Sequence, residues 1–493
     1  MSTNHSGHRV VVLLSGLAAL LLFPLFVTAD VWVFEPSAAI DQRFDDNYTI
    51  DPDEPEAVSA TRVVGTLGLS REAPAASFTG LVRVDGLITQ SNRESDELSS
   101  NQVFFLNSEF RRARSQYGIG LNFKQDTPSR DISADITDIS SVASDTGASV
   151  TQDQNVGRKR WVVNPNWQYN ISRLTTLETE LTYTQVSHEL PSPAEARQAQ
   201  LTLAKQNDPD NEELSVDNLG VFAVANELDD FREIAFDMGI KRKLSPITTI
   251  SFFAGYSDYA AQVEPSDDVN VQFEDLIQDS DDREIFRKPK RNAYSNTTKF
   301  RVGYDRAFTP TLNLGFQVGI YTTNIDESDL LRDTDPDKFT TEEARQAARN
   351  NRIRKQSGYL ANITVTKNTG ITRYTGKFGV DVLPSDVGSQ VESLEAVGDL
   401  FRELGPLLDF SFRVRAYEPD ALNASNDSDF ARRFLSIEPK LIWRFTRAWT
   451  VAGSYRYRRQ KSQTDTNSGQ SNAVLFSLKY TPPSAIRDAE LNK

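Results

Sequence analysis

Residues 308–321 read Phe-Thr-Pro-Thr-Leu-Asn-Leu-Gly-Phe-Gln-Val-Gly-Ile-Tyr. Proline in the opening Phe-Thr-Pro fixes φ and ends strand pairing, so these residues predict a tight turn. From Leu312 to Ile320 every second residue is apolar, and the residues between are Asn, Gly, Gln and Gly. A period of two is the pattern of a β-strand with one apolar and one polar face. The stretch therefore predicts a strand that starts at a tight turn.

The same pattern recurs along the chain in segments of about ten residues, for example 161–170, 250–256 and 408–415. Short turns follow many of them, near 72–75, 112–115, 174–176, 244–246, 308–310, 367–370, 404–406 and 445–447. The other spacers are long, polar and acidic, notably 126–158, 189–229, 261–293 and 326–354. A soluble antiparallel sheet shows the same alternation. Short turns at one end and long loops at the other favour an all-β, transmembrane, antiparallel up-and-down β-barrel in the bacterial outer membrane.

The number of strands follows from the turns. Eight short turns join sixteen strands, one strand precedes the first turn near 39–48, and one closes the barrel at 471–480. The prediction is about 18 strands. The alternative is 16, because Val391–Arg402 alternates poorly.

The composition excludes several classes of protein. There is no Cys, which excludes disulfides and thiolate metal sites. Mean hydropathy is −0.46, and no apolar run after Ala29 approaches the ~20 residues of a spanning helix. The formal charge of −15 disfavours nucleic acid as a partner. We expect no cofactor and no bound metal.

The N-terminus predicts a cleaved signal peptide over residues 1–29. Arg9 supplies the charged region, Val10–Leu22 the apolar region, and Val27-Thr28-Ala29 the small-residue cleavage site. The alternative is an uncleaved membrane anchor. The barrel is predicted over residues 30–480, and Pro482-Pro483 marks a periplasmic tail over 481–493.

Three features together resemble a known family. They are the opening segment Ile40–Asn47, the repeated apolar–Ser/Thr–Pro hairpins, and the segment Asn472–Tyr480. The sequence is similar to outer-membrane barrels encoded with exopolysaccharide and PEP-CTERM/exosortase systems. The resemblance implies a porin-like conduit for exopolysaccharide export, with anionic polysaccharide and periplasmic export components as partners. It carries over no catalytic residue. The segment 474–480 also resembles the C-terminal signal that barrels present to the barrel-insertion machinery.

One constellation of charges is a candidate binding site. If apolar faces meet lipid, six cations on three consecutive strands face the lumen: Arg413, Arg415, Lys440, Arg444, Arg456 and Arg458. Charge on the lipid face is costly, so inward charge is expected of a barrel. This basic wall would guide an anionic solute or a uronic-acid polymer. The alternative is structural, with the cations paired to Asp409, Glu438 or other acids.

Other features allow further alternatives. Acidic residues in 264–284 suggest divalent-cation bridging to lipopolysaccharide, or only a solvated loop. Two loops share the pentapeptide Glu-Ala-Arg-Gln-Ala, at 195–199 and 343–347, each after a helix-capping pattern.

Alternatives to export are a general solute porin and a plugged barrel that docks a secretion complex. After cleavage His188 is the one remaining histidine, so we expect a protein that is not an enzyme, with an outer-membrane hydrolase as the minor alternative.

Overall fold

The computed structural model describes residues 32–48, 50, 55–91, 97–126, 157–189, 230–262, 292–326, 353–384, 390–421, 432–462 and 468–482. Within these ranges the chain forms one antiparallel sheet of 18 strands. In chain order the strands are β1 Trp32–Asp45, β2 Val58–Ala73, β3 Ala76–Ser91, β4 Glu97–Arg111, β5 Ser115–Asp126, β6 Gly157–Asn170, β7 Thr175–Glu189, β8 Asp230–Ser245, β9 Thr248–Gln262, β10 Asn292–Thr309, β11 Leu312–Asp326, β12 Ile353–Asn368, β13 Thr372–Pro384, β14 Gln390–Gly405, β15 Leu408–Ala421, β16 Arg432–Trp443, β17 Trp449–Ser462 and β18 Gly469–Tyr480.

The sheet is closed. Each strand pairs with its neighbours in sequence, and β1 pairs with both β2 and β18. Closure removes the free sheet edges and satisfies the ladder hydrogen bonds within the chain, as hydrocarbon requires of any spanning structure. The predicted all-β, up-and-down barrel is confirmed, with 18 strands rather than 16.

Turns and long connections lie at opposite ends of the barrel. Short turns follow every even-numbered strand from β2 to β16, at the positions that the sequence predicts. The barrel's first and last residues lie at this end too, because the number of strands is even. In outer-membrane barrels the end with short turns is periplasmic and the end with long loops is extracellular.

The outer face of the barrel is apolar and exposed. Phe252, Phe300 and Ile320 point outward and are 57%, 54% and 54% exposed. Such a wide exposed apolar band is a liability in water and matches the hydrocarbon of a bilayer. No helix among the described residues is long and apolar enough to cross a membrane. A closed barrel with an even number of strands, an apolar belt and short turns at one end is a bacterial outer-membrane protein.

Two strands differ from the pattern that the sequence predicts. β1 begins at Trp32 rather than near residue 39, and it contains Pro36. Residues 32–37 pair with β2 alone, because β18 joins only from Ala38 onward, and a proline is tolerated beside such an unpaired edge. β14 alternates poorly because its outward residues include the small Ala396 and Gly398.

Several predicted features lie outside the described residues. They are the signal peptide at 1–29, both Glu-Ala-Arg-Gln-Ala segments, the acidic segment 264–284, and the tail beyond residue 482. The domain boundaries at 29 and 480 therefore remain predictions.

Candidate functional site

Strand register decides which side chains line the lumen. On β16, Leu441 and Trp443 are 50% and 53% exposed and belong to the apolar outer belt. Their sequence neighbours Lys440, Ile442 and Arg444 therefore point to the lumen, because successive residues of a strand face opposite sides. Cross-strand partners share a face, so the same assignment extends around the closed sheet.

All six cations of the predicted basic wall lie on the inner face. Arg413 and Arg415 project from β15, Lys440 from β16 and Arg456 and Arg458 from β17, and Arg444 directly follows the end of β16. The three strands are adjacent, about 4.8 Å apart, so the structure brings these residues onto one patch of the lumen wall. We call this patch the charged wall. Its role in binding a solute remains a prediction.

Carboxylates interleave with the cations of the charged wall. Arg413 lies directly opposite Asp399 on β14 and Glu438 on β16. Its Nε donates to Asp399 Oδ1 at 2.6 Å, and Arg456 Nε donates to Glu438 Oε2 at 3.0 Å. Charges therefore alternate in sign along one row across β14, β15, β16 and β17. Opposite charges in directly paired positions stabilise a sheet, whereas like charges there would weaken it.

The remaining cations of the wall are mostly paired as well. Arg415 lies 3.5 Å from Glu395, and Arg444 forms an ion pair with Asp409. Arg458 pairs with Asp45, at 2.7 Å. Lys440 is different, because no carboxylate in the described part of the chain lies within 4 Å of its ammonium group. The wall is thus charged throughout but close to balanced, and Lys440 interacts electrostatically with the neighbouring Glu438 carboxylate without forming a close ion pair.

A second set of contacts lies where the barrel closes, and the sequence did not indicate it. Asp45, at the end of β1, accepts from Arg458 on β17 and, at 2.7 Å, from the Ser471 hydroxyl on β18. Arg43 also pairs with Asp45, and its guanidinium lies 4.8 Å from the centre of the Tyr48 ring. We call these five residues the seam cluster. Its charges are buried, and it joins three strands that meet only when the sheet is closed.

The extracellular end of β13 and β14 is folded toward the lumen. The ladder between β12 and β13 stops at Ala361 and Val380, although β13 continues to Pro384. Beyond this point Val382 is buried and packs with Tyr321 and Leu360. Val382 continues the outward face of β13, whereas Tyr321 and Leu360 belong to the inner face of β11 and β12. These faces can meet only if the end of β13 lies on the lumen side of β12.

Two side chains from nearby strands on the same side of the barrel hold this segment. Lys299 Nζ on β10 donates to Asp381 Oδ1 at 2.8 Å and to the Val382 carbonyl at 2.7 Å. The Tyr321 hydroxyl on β11 donates to the Glu392 carboxylate on β14. We call Asp381–Pro384 and Gln390–Ser393 the inward hairpin and these hydrogen bonds its tethers. The tethers cross β12, so the inward hairpin narrows the lumen near its extracellular end.

Glycine makes room for one tether. Tyr321 lies over Gly358 on β12, where a Cβ atom would come within 2.5 Å of the tyrosine ring. The ring therefore occupies space that any other residue at position 358 would fill. A glycine inside a strand often marks a site that another group approaches closely. Gly358 is therefore the residue of the sequence that could have pointed to this contact.

Ion pairs cover other parts of the inner face too. Arg62 pairs with Asp41 near the seam, and Arg83 lies 2.8 Å from Asp85 on the same strand. Lys241 and Glu178 approach to 2.8 Å on the far side. These parts of the inner face thus also carry charges of both signs. No group of three His, Asp or Glu side chains within the described ranges is placed to hold a metal ion.

The minor alternative of a hydrolase rested on His188. His188 lies near the extracellular end of β7, opposite Arg158 of β6. The position of its side chain lies outside the described part of the structure. No catalytic arrangement follows from the residues around it.

Comparison with models of known families finds no match, and comparison with curated protein sequences finds none either. Comparison with solved structures finds Pseudomonas aeruginosa outer-membrane proteins. OccK7 (OpdD) matches at 9% identity and a TM-score of 0.40, over 92% of this chain and 98% of its own. OccK2 (OpdF) in complex with glucuronate matches at 10% and 0.38, over 91% and 98%. OpdK matches at 7% and 0.37, over 91% and 99%. These scores describe a loose correspondence between large barrels and carry no information about a solute.

Proposed function

We propose that this outer-membrane barrel is a porin-like, passive conduit for small polar solutes. The observation that supports this function best is the charged wall. Ion pairs such as Arg413–Asp399 leave both side chains partly exposed, at 30% and 38%, to the lumen. A charged surface costs free energy unless water or a polar solute contacts it, so the lumen suits aqueous passage. The inward hairpin adds a size limit near the extracellular end.

The near balance of positive and negative side chains on the charged wall determines which solutes the lumen would favour. The alternating row on β14–β17 attracts neither sign strongly, whereas Lys440 and the partly exposed Arg444, 45% exposed at its side chain, favour anions. Small solutes with a single carboxylate fit this weak preference better than polyanions do. A strongly anionic chain would have to compete with Asp399, Glu395 and Glu438 for Arg413, Arg415 and Arg456.

Conductance in a planar bilayer tests the proposed function. Purified barrel should insert and produce discrete steps in KCl, with a weak anion preference in a salt gradient. Insertion without any conductance would contradict an open conduit and favour a plugged barrel that docks a secretion complex. Swelling of liposomes in isosmotic sugars and amino acids of increasing mass would then give the size limit.

A second candidate is export of an anionic exopolysaccharide, which rests on the family resemblance. One feature of the lumen favours a sugar ligand. Tyr417 and Phe434 pack against each other on the inner wall in a tilted arrangement, with ring centres 5.4 Å apart, and the Arg415 guanidinium lies 5.9 Å from the centre of the Tyr417 ring. An aromatic face beside a guanidinium offers an apolar surface and a partner for a carboxylate.

A clean gene deletion distinguishes the two candidates. For export we expect surface polysaccharide to fall while lipopolysaccharide and other barrels stay unchanged. Normal polysaccharide together with slower growth on small polar nutrients would contradict export and favour the solute conduit. A barrel that carries Tyr417→Ala and Phe434→Ala should restore uptake of small solutes but not export.

A further inference from the structure

The turn-bearing end of the barrel carries a repeated five-residue pattern. It reads Arg-x-(Leu/Phe)-(Ser/Thr/Gly)-Pro at 242–246, 306–310 and 402–406. Each copy ends β8, β10 or β14, and each has a register shift just after the arginine. The three hairpins are therefore the same structural unit, and the arginine takes the same place in each.

Strand register places these arginines on the outer face. Arg242 lies opposite Ile250, Arg306 opposite Leu314 and Arg402 opposite Phe410, which all belong to the apolar belt. Lys367 on β12 lies opposite Leu312 and so faces outward as well. Four adjacent hairpins thus each present one exposed cation at their periplasmic end. We call Arg242, Arg306, Lys367 and Arg402 the basic arc.

Residues around the basic arc have the composition of a membrane interface. The apolar residue two places after each arginine is exposed: Leu244 at 57%, Phe308 at 51% and Leu404 at 51%. The Arg306 guanidinium lies 5.0 Å from the centre of the Phe308 ring. An arginine with an exposed apolar neighbour is suited to the boundary between hydrocarbon and headgroups, where its stem stays in lipid and its charge reaches water.

The basic arc differs from the lumen in how its charges are compensated. Most cations of the charged wall have a carboxylate partner, whereas the arc's four cations have none among the described residues. The strands that follow the arc's cations in sequence are β9, β11, β13 and β15. Their outward residues near the periplasmic end are Thr248, Ile250, Leu312, Leu314, Thr372, Tyr374, Leu408 and Phe410. None of these is acidic, so the described residues offer the arc no compensating carboxylate.

Neighbouring even-numbered strands are about 9.6 Å apart, which is two strand spacings. The arc therefore presents cations at a regular interval along the periplasmic headgroup layer. Equivalent positions on three other even strands hold aromatic residues, namely Tyr169 on β6, Trp443 on β16 and Tyr480 on β18. Aromatic rings suit the interface without selecting charge. The β8–β14 side thus carries four exposed outward cations in a row, whereas Arg71, which faces outward near the periplasmic end of β2, is 7% exposed and lies over the Trp32 ring.

We propose that the basic arc binds the phosphates of anionic phospholipids in the periplasmic leaflet of the outer membrane. Each arginine would donate to a headgroup phosphate, and the exposed leucine or phenylalanine beside it would contact the upper acyl chain. Basic residues at an anionic lipid surface contribute about 1 kcal/mol each, which is about fivefold in binding per residue. Anionic phospholipids would then be enriched next to β8–β14 in the periplasmic leaflet.

The experiment compares lipid preference in bilayers of phosphatidylcholine with a minor share of phosphatidylglycerol. Spin-labelled phosphatidylglycerol and phosphatidylcholine report the relative association of each lipid with the barrel. The test variant carries Arg242→Gln, Arg306→Gln, Lys367→Gln and Arg402→Gln. The control variant removes four cations of the inner face: Lys241→Gln, Lys243→Gln, Arg373→Gln and Lys479→Gln. Both variants lose the same charge and lie near the same end, but only the first changes the lipid-facing surface.

We expect wild type and the control to prefer phosphatidylglycerol, and the test variant to lose at least about half of that preference. Raising salt from 0.1 M to 1 M should weaken the preference of wild type, because the screening length falls from about 10 Å to about 3 Å. An unchanged preference in the test variant would overturn the proposal. Equal losses in both variants would also overturn it, since net charge alone would then explain the result. Heat-modifiable gel mobility verifies that each variant is folded.

Discussion

Arg458 on β17 donates to Asp45 on β1 at 2.7 Å, across β18 and over 413 residues of sequence. The contact forms only when the last strands meet the first. The ladder at this seam is short, since β18 pairs with β1 only over Ala38–Asp45, whereas β2 pairs with all of Trp32–Asp45. The seam cluster adds side-chain contacts at the extracellular end of this short ladder.

Replacement of Asp45 by Asn should destabilise the barrel by about 3 kcal/mol. The Asp45 carboxylate is fully buried and Arg43 is nearly so, so the change leaves the charges of Arg43 and Arg458 uncompensated in the wall. Urea unfolding from liposomes measures the loss as a lower midpoint. Asp46→Asn is the matched control, because Asp46 holds Asn472 at an exposed position. A midpoint shift of the same size in both variants would contradict a special role for the seam cluster.

Ion selectivity should respond to the balance of the charged wall. Replacement of Arg413, Arg444 and Arg456 by Gln leaves Asp399, Asp409 and Glu438 without their partners. The lumen then becomes negative, so the reversal potential in a salt gradient should move toward cation preference, on the order of a few-fold in permeability ratio.

The reciprocal variant tests the same balance from the other side. Asp399→Asn, Asp409→Asn and Glu438→Gln should move the reversal potential toward anion preference. A barrel with all six changes should return close to wild type, because the removed charges cancel. If the sixfold variant instead matched the arginine variant, the pairing would not control selectivity.

Much of this architecture could be predicted from the sequence, and the reason lies in the strands themselves. The alternation in Leu312–Ile320 determines which side chains face outward, and Pro310 determines where the chain turns. Lipid outside the barrel and water inside it then fix the register of the strand, because a shift by one residue would move every apolar side chain to the wrong face. The inward direction of Arg413, Arg444 and Arg456 follows from the same local rule. These features need no knowledge of distant residues.

Contacts across the sheet could not be predicted in this way. Asp45 reaches Arg458 only because an 18-stranded sheet closes, and Lys299 reaches Asp381 only because β13 leaves its ladder with β12. Both depend on register between segments far apart in sequence. Asp409 and Glu438 are among the partners that the sequence suggested for the cations. Asp399 and Glu395 were missed for a related reason, since they lie on β14, where Val397 and Phe401 on the inner face obscure the alternation.

Release of the inward hairpin should enlarge the pore. Lys299→Met combined with Tyr321→Phe removes the tethers to Asp381, Val382 and Glu392. The extracellular end of β13 then gains freedom to move, so single-channel conductance should rise and current noise should increase. Lys377→Met is the matched control, because it also removes a lumen cation with a carboxylate partner, Glu395, but no tether. Equal conductance changes in both barrels would mean that charge rather than the hairpin limits the current.

Two glycines on neighbouring strands provide a final test of the seam. A Cβ atom at Gly469 would collide with the main chain of Ile50, whereas at Gly453 the nearest atom would be on Phe476 at 3.9 Å. Gly469→Ala should therefore displace the segment that carries Tyr48 over Arg43 and cost about 1–3 kcal/mol. Gly453→Ala should be neutral or stabilise the strand by about 0.5 kcal/mol, because alanine loses less conformational freedom on folding. Unfolding midpoints of the two variants, measured in the same liposomes, give the comparison. If Gly469→Ala were as stable as Gly453→Ala, the packing of Ile50 against β18 would not contribute to closure.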